Sequence, residues 1–254
     1  MWTDTHAHLY LEHFDNDEEN IIKRARNSGI GRVYMPNIDT STIDRMLRLE
    51  AMAPDFFRSM IGLHPGSVKQ NYRDELKVVF SEIHKHNYAA VGEIGTDLYW
   101  DKTFIDQQVS AFEMQIDLAK EHGLPVIIHA RDSMDLTIDI VEKKQDGKLT
   151  GIFHCFSGNL EQAKKVTDLG FKLGIGGVLT YKNSGLAEVV SKLELKHFVL
   201  ETDAPYLAPV PYRGKRNESS YIIYIAQKMA EIKNVSFIEL MHITNKNVDS
   251  VFLF

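Results

Sequence analysis

A chain of 254 residues and 29.0 kDa, 44% hydrophobic and 25% charged, is long enough to bury a sizeable core and has the composition of an ordinary globular protein rather than of a disordered chain. A formal charge of −6 excludes a protein that coats nucleic acid through overall positive charge, but not one that grips a phosphate backbone over a small basic surface. No apolar run is long enough to span a bilayer, MWTDTHAHLY lacks the basic start and apolar stretch of a signal peptide, and the single cysteine, Cys155, cannot form an intrachain disulfide. The expectation is a cytoplasmic protein with no membrane association and no obligate protein partner.

Residues 2–5 read as a short strand that ends at His6-Ala7-His8. A helix follows at 17–29, with Ile21, Ile22 and Ala25 on one side and Gly29 as its stop. Residues 31–36 form a strand ending in Pro36, 41–52 a helix, and 56–62 a strand leading to His64-Pro65-Gly66. Leu76, Val79, Phe80 and Ile83 have helical spacing, and 88–94 is strand-like, running into Gly95. Ile105, Val109, Phe112, Ile116 and Ala119 recur at three and four residues, which predicts a helix closed by Gly123. Strand 125–128 ends at His129 and is followed by helix 133–144; strand 150–153 ends at His154 and is followed by helix 159–169. Strand 171–175 precedes a glycine-rich loop and a short helix at 184–191. Strand 197–200 runs into Glu201-Thr202-Asp203, and a proline-bearing loop leads to helices at 218–232 and 236–248.

Short apolar strands alternating with amphipathic helices predict an α/β chain folded as a single (β/α)8 TIM barrel over residues 1–254, with an additional C-terminal helix. No GxGxxG or GxxxxGK[ST] element follows a strand, which argues against an open nucleotide-binding sheet.

Any one histidine in such a chain is an ordinary polar residue. Six residues depart from that reading together: His6, His8, Glu93, His129, His154 and Asp203 lie at or just after the C-terminal ends of predicted strands. His6 and His8, two apart in extended chain, share a face. A barrel gathers all these ends at one mouth. Carboxylates among imidazoles favour a hydrolytic divalent-metal centre over a closed, thiolate-based zinc site. Strand alternation points Cys155 away from His154, into the core. Gly174, Gly176 and Gly177 follow a strand without a P-loop lysine, so close backbone packing or a mobile loop is expected. His13, His84, His86, His122, His197 and His242 lack strand-end placement and are read as structural or surface residues.

DTHAHL at 4–9, GLHP at 62–65, GEIG at 92–95, PVIIHAR at 125–131, HCFSG at 154–158, GIGGVLT at 174–180, ETDAPYL at 201–207 and RGKRN at 213–217 occur in this order. Over nearly the whole chain this series resembles the TatD family of metal-dependent deoxyribonucleases, within the amidohydrolase-like barrel enzymes. The resemblance implies two divalent metal ions: His6, His8, Glu93 and Asp203 around one, and Glu93, His129 and His154 around the other, with Glu93 as the bridge. Such a pair would polarise a phosphodiester and lower the pKa of an attacking water. Glu93 and Asp203 are then the catalytic candidates, Asp203 either as the group that orients or deprotonates the water or as a ligand alone. The resemblance suggests Mg2+, whereas imidazole donors suit Zn2+ or Mn2+.

The resemblance also makes His64 a phosphate contact. Arg131, two residues past His129, can bind a phosphate oxygen or neutralise a carboxylate. Arg213, Lys215 and Arg216 form the densest basic cluster, either a clamp for a nucleic-acid backbone or a solvated loop. Glu201 is expected to orient a histidine ligand. Tyr99, Trp100, Tyr181 and Tyr206 fall in mouth loops, where a ring can stack on an unpaired base or pack against its own scaffold. Thr96, Leu98 and Ser219 stand where family members more often have leucine, an aromatic residue and proline, in loops expected to shape the pocket.

The implied function is a deoxyribonuclease that hydrolyses DNA phosphodiester bonds, as an exonuclease acting on single-stranded DNA or a strand end. Within enzymes the alternative is a small-molecule phosphoesterase or amidohydrolase. Outside them it is a non-catalytic nucleic-acid-binding or regulatory protein with a structural metal site.

Overall fold

Short Val-, Ile- and Phe-rich strands buried on both faces require a cover of helices, and a computed structural model, describing residues 1–252, supplies one. The strands are β1 (Trp2–Asp4), β2 (Ile30–Pro36), β3 (Phe57–Met60), β4 (Val91–Asp97), β5 (Val126–Arg131), β6 (Gly151–Phe153), β7 (Lys172–Ile175) and β8 (Phe198–Leu200). β1 to β3 pair in parallel in chain order, as do β4 to β8. Two seams join these sheets. At one, Ile61 pairs with Val91 and the Gly92 amide donates to the Ile61 carbonyl at 2.8 Å. At the other, Ala7 pairs with Ala204 and the Thr5 amide donates to the Leu200 carbonyl at 3.1 Å. With both seams bonded, the fold is a TIM barrel.

Around it lie α1 (Glu18–Asn27), α2 (Ile43–Met52), α3 (Tyr72–Glu82), α4 (Ile105–His122), α5 (Met134–Lys144), α6 (Leu160–Asp168), α7 (Leu186–Lys192) and α8 (Ile222–Lys233), with α9 (Phe237–Val251) as the additional C-terminal helix. In α4 the predicted stripe holds: Phe112, Ile116 and Ala119 are buried, and Gly123 ends the helix at φ +64°. That left-handed conformation suits glycine. No helix among the described residues is long and apolar enough to cross a membrane.

Strand parity divides the core. Ile127, Ile152 and Val199 lie two residues before His129, His154 and Glu201, and they pack with Tyr34 and Met60 in one apolar cluster. Side chains two apart on a strand face the same way, so this cluster fills the barrel interior directly beneath the mouth. Val248, Val251 and Phe252 join it from α9, with Phe252 stacked on Tyr34 at 3.9 Å. The odd-parity residues Val126, Ile128 and Phe153 pack outward with the helices.

One element differs usefully from expectation. The predicted strand, 88–94, runs into Gly95, whereas β4 covers Val91–Asp97 and pairs Gly95 with His129 and Asp97 with Arg131. Gly95 sits at φ +143°, and a Cβ there would lie 2.0 Å from the His129 carbonyl oxygen. Gly95 is therefore what lets the strand pass close to β5, carrying Asp97 to the mouth.

Candidate metal centre

β4 is irregular at one position: Gly92 pairs with Ile127 and Ile94 with Ile128, leaving Glu93 as an extra residue in the ladder. Its carboxylate lies in the middle of the histidines. Glu93 Oε2 is 3.1 Å from His6 Nε2 and 3.3 Å from His8 Nε2, and those nitrogens are 3.3 Å apart. Asp203 Oδ1 lies 3.8 Å from each of them. Glu93 Oε1 faces a second set, with His129 Nδ1 at 2.7 Å, His154 Nε2 at 2.9 Å and His64 Nε2 at 3.3 Å. Donors about 2.0–2.2 Å from a shared cation sit roughly 3.0–3.6 Å from one another. Both sets are close to that spacing, and each takes a different oxygen of Glu93, so the residues present fit a pair of cations.

A neutral imidazole can ligate only through its unprotonated nitrogen, and neighbours decide which that is. The Tyr10 hydroxyl gives its proton to the Pro36 carbonyl at 2.5 Å, so at 3.0 Å from His8 Nδ1 it must accept, leaving His8 Nε2 free. Asp97 Oδ2 lies 2.9 Å from His129 Nε2; a carboxylate accepts, so His129 Nδ1 is the free nitrogen. Glu201 Oε1 lies 3.4 Å from His154 Nδ1 without a hydrogen bond between them, and His154 Nε2 lies 2.9 Å from Glu93 Oε1. In His8 and His129 the free nitrogen faces Glu93.

His64 obeys the opposite logic. Its Nδ1 accepts from the Gly66 amide at 2.9 Å, so in the neutral ring the proton sits on Nε2. Burial lowers the His64 pKa and favours that neutral ring. Although its Nε2 lies within the second donor set, this tautomer offers a hydrogen-bond donor there rather than a lone pair.

The ionisation pattern reflects mutual neutralisation among close groups. Burial alone would raise Glu93, yet His154, His64 and His6, with the His129 hydrogen bond, hold it well below the carboxylate range. Burial and the neighbouring His154 push His6 down. Burial opposes the charged form of His154, but Glu93 and Glu201 raise it well above the usual imidazole value. Asp203 is pushed up to about 6 by burial, against the attraction of His154 and His8.

The TatD related DNase family profile matches residues 3–253. The chain belongs to the TatD family. It is 38% identical to YabD of Bacillus subtilis, over 99% of both chains, and 31% identical to YjjV of Escherichia coli, over 98% of this chain and 96% of the relative. Both relatives bear the name uncharacterized metal-dependent hydrolase. The crystal structure of YjjV, a TatD homologue, matches with a TM-score of 0.94 at 29% identity, covering 100% of this chain and 98% of that one. A TatD-family hydrolase from Entamoeba histolytica, 21% identical with a TM-score of 0.85, shares the fold over 99% of this chain and 98% of its own.

In this TatD-family barrel a cavity of about 980 Å3 opens above the histidines, walled by His8, His64, Glu93, His129, His154 and Asp203. His6 lies beneath, fully buried. Arg131, Arg213 and Lys215 also line the cavity. Arg131 stacks on Tyr99, its guanidinium carbon 3.9 Å from the ring centre, and Arg213 lies over Tyr181 at 4.5 Å.

Arg216 is drawn elsewhere. Its guanidinium donates to the His13 carbonyl at 2.8 Å and to Asp17 at 2.6 Å, over the Phe14 ring, and it does not line the cavity. This arginine, expected in the basic clamp, ties the 213–217 loop to the start of α1 instead. Cys155 also departs from expectation. It lies past the end of β6 at φ +46°, where strand alternation no longer holds, and it lines the cavity instead of the core. None of His13, His84, His86, His122, His197 or His242 lines the cavity.

Glycine 174 serves close packing: a Cβ there would lie 2.2 Å from Glu201 Oε2. The unusual residues Thr96 and Ser219 are buried and do not line the cavity; Thr96 pairs with the Thr137 hydroxyl at 2.7 Å. Ser219 donates to Asp4 at 2.6 Å, where Asp4 also accepts from the Thr202 amide at 2.9 Å and hydroxyl at 2.6 Å. Asp4 thereby braces the β1–β8 seam from which His6, His8 and Asp203 emerge, and burial pushes its pKa up to about 7. Asp4, Tyr10 and Asp97 were not singled out by the motifs. Each lies two or four residues from a candidate ligand, which is the signal that could have found them.

Proposed function

We propose that the chain is a metal-dependent phosphodiesterase that hydrolyses DNA, working as an exonuclease on a single-stranded or frayed end. The observation that carries the hydrolytic part is the division of Glu93, one carboxylate oxygen toward His6 and His8 and the other toward His129 and His154. The family description and the cations lining the cavity support the nucleic-acid part. Two divalent ions held by these residues and Asp203 would supply Lewis-acid stabilisation of the phosphoryl group and acidify an attacking water. His64 donates through Nε2 to a non-bridging phosphate oxygen. Asp203, beside the attacking water, takes its proton. Arg131, Arg213 and Lys215 hold the flanking backbone by charge.

The test is incubation of protein reconstituted with Mg2+, Mn2+ or Zn2+ with 5′-labelled and 3′-labelled single-stranded DNA, RNA, simple esters and cyclic amides. A metal-dependent ladder on DNA that disappears in Glu93→Ala supports the proposal, and the metal series identifies the cofactor. Turnover of esters or cyclic amides with DNA left intact replaces it with a small-molecule hydrolase.

A further inference from the structure

Trp100 is 74% exposed and Tyr99 51%, on the loop that follows β4. Large aromatic surfaces are normally withdrawn from water; Trp100 forms part of the wall of the metal-site cavity, and Tyr99 stands next to it. Their rings meet edge to face at 4.7 Å, and the Arg131 guanidinium lies 3.9 Å from the Tyr99 centre and 5.3 Å from that of Trp100. The loop is anchored by Asp97, whose Oδ1 accepts from the Tyr99 amide at 2.9 Å and the Trp100 amide at 3.4 Å. The other oxygen of that carboxylate receives His129 Nε2. One side chain thus fixes both a candidate metal ligand and the aromatic platform, giving the two a set separation.

We infer that Trp100, Tyr99 and Arg131 form a stacking subsite for an unpaired nucleobase next to the scissile phosphate. This rests on the proposed action on DNA and specifies which form of it the site takes. An aromatic face stacks on any base that is not already stacked and paired, and arginine beside it adds a cation for the adjoining phosphate. A polyanionic occupant fits better than an apolar protein segment, because Arg131, Arg213 and Lys215 line the same cavity. Paired bases inside a duplex offer no free face, so the subsite selects single strands and frayed ends.

The experiment compares metal-loaded wild type with Trp100→Ala and Trp100→Phe. The substrates are single-stranded oligonucleotides bearing either ordinary or abasic residues at the last three positions of each end. Wild type is expected to show a KM about 10-fold lower for the base-bearing strand. Trp100→Ala should bring the two strands to the same KM, and Trp100→Phe should restore most of the preference. Bound metal is measured on every preparation. If Trp100→Ala loses metal and slows both strands alike, the loop acts only through Asp97 on His129 and the subsite is overturned. Normal cleavage by wild type without preference for bases also overturns it, while leaving the nuclease reading intact. Intact DNA of both kinds beside turned-over simple esters removes the nuclease reading and the subsite together.

Discussion

The nitrogens that His8 and His129 offer are set by hydrogen-bonding partners, so those partners should be felt in metal affinity. Asp97 accepts from His129 Nε2 and is itself held at about 2, burial being outweighed by His129 and by the Tyr99 and Trp100 amides. Asp97→Ala should weaken metal binding about 10- to 100-fold. Asp97→Asn, which still accepts a hydrogen bond, should fall between it and wild type. Metal titration of the three proteins reads this directly, and identical affinities would mean that packing alone orients His129. Asp203 calls for a different pairing of measurements. If it moves a proton, Asp203→Asn should lower kcat by about 10²- to 10⁴-fold while metal content is kept. A parallel loss of metal would leave ligation as its whole role.

At the level of elements, the loop after β8 divides its basic residues between two tasks. Arg216 joins Asp17, Arg24 and Glu218 in an ion-pair network that fastens the loop to α1. Hydrogen bonds from Arg24 and Arg216 lower the pKa of Asp17, against the opposing effect of burial. A lowered folded-state pKa means that the network contributes above the unfolded value of about 3.9 and is lost as pH falls through the lower folded value. The side chains are partly exposed, so the contribution should be about 0.5–1 kcal/mol. Arg216→Ala should therefore melt about 1–4 °C lower at neutral pH, with the gap narrowing below about pH 4. Arg213→Ala and Lys215→Ala should instead raise KM for DNA and each flatten its salt dependence by about one unit of slope. An equal change of slope in Arg216→Ala would return that residue to the binding surface.

Across the whole molecule, the candidate donors come from the ends of β1, β4, β5, β6 and β8, so a bound cation would bridge strands that are remote in sequence. Binding to the folded state alone stabilises by mass action, about 2.7 kcal/mol at a free metal concentration 100 times Kd. Chelation should lower Tm by several degrees, and restoring the preferred cation should recover it. Glu93→Ala should melt at the same temperature with and without metal. A chelator-insensitive wild type would separate metal from folding and weaken the two-cation reading.

The alternation of short apolar strands with amphipathic helices, together with HxH, GEIG, HCFSG and ETDAP at strand ends, was sufficient to establish the barrel and bring Glu93 and the histidines to one mouth. Period and parity are local properties, and a closed parallel barrel converts them into a common site. Other features depended on partners far along the chain. His8 obtains its tautomer from a Tyr10 hydroxyl occupied by the Pro36 carbonyl, and His129 from an Asp97 that reaches the mouth because Gly95 lets β4 continue. Arg216 and Cys155 differ from their expected placements for the same reason: the first answers to Asp17 199 residues away, and the second to a strand that stops at Phe153. Sequence by itself determined the fold and marked six strand-end residues as candidate donors, because strand alternation and residue type are local properties. Only the tertiary structure decided which nitrogen His8, His64 and His129 offer and which basic side chains face the cavity, because hydrogen bonds and ion pairs depend on distances that spacing along the chain does not encode.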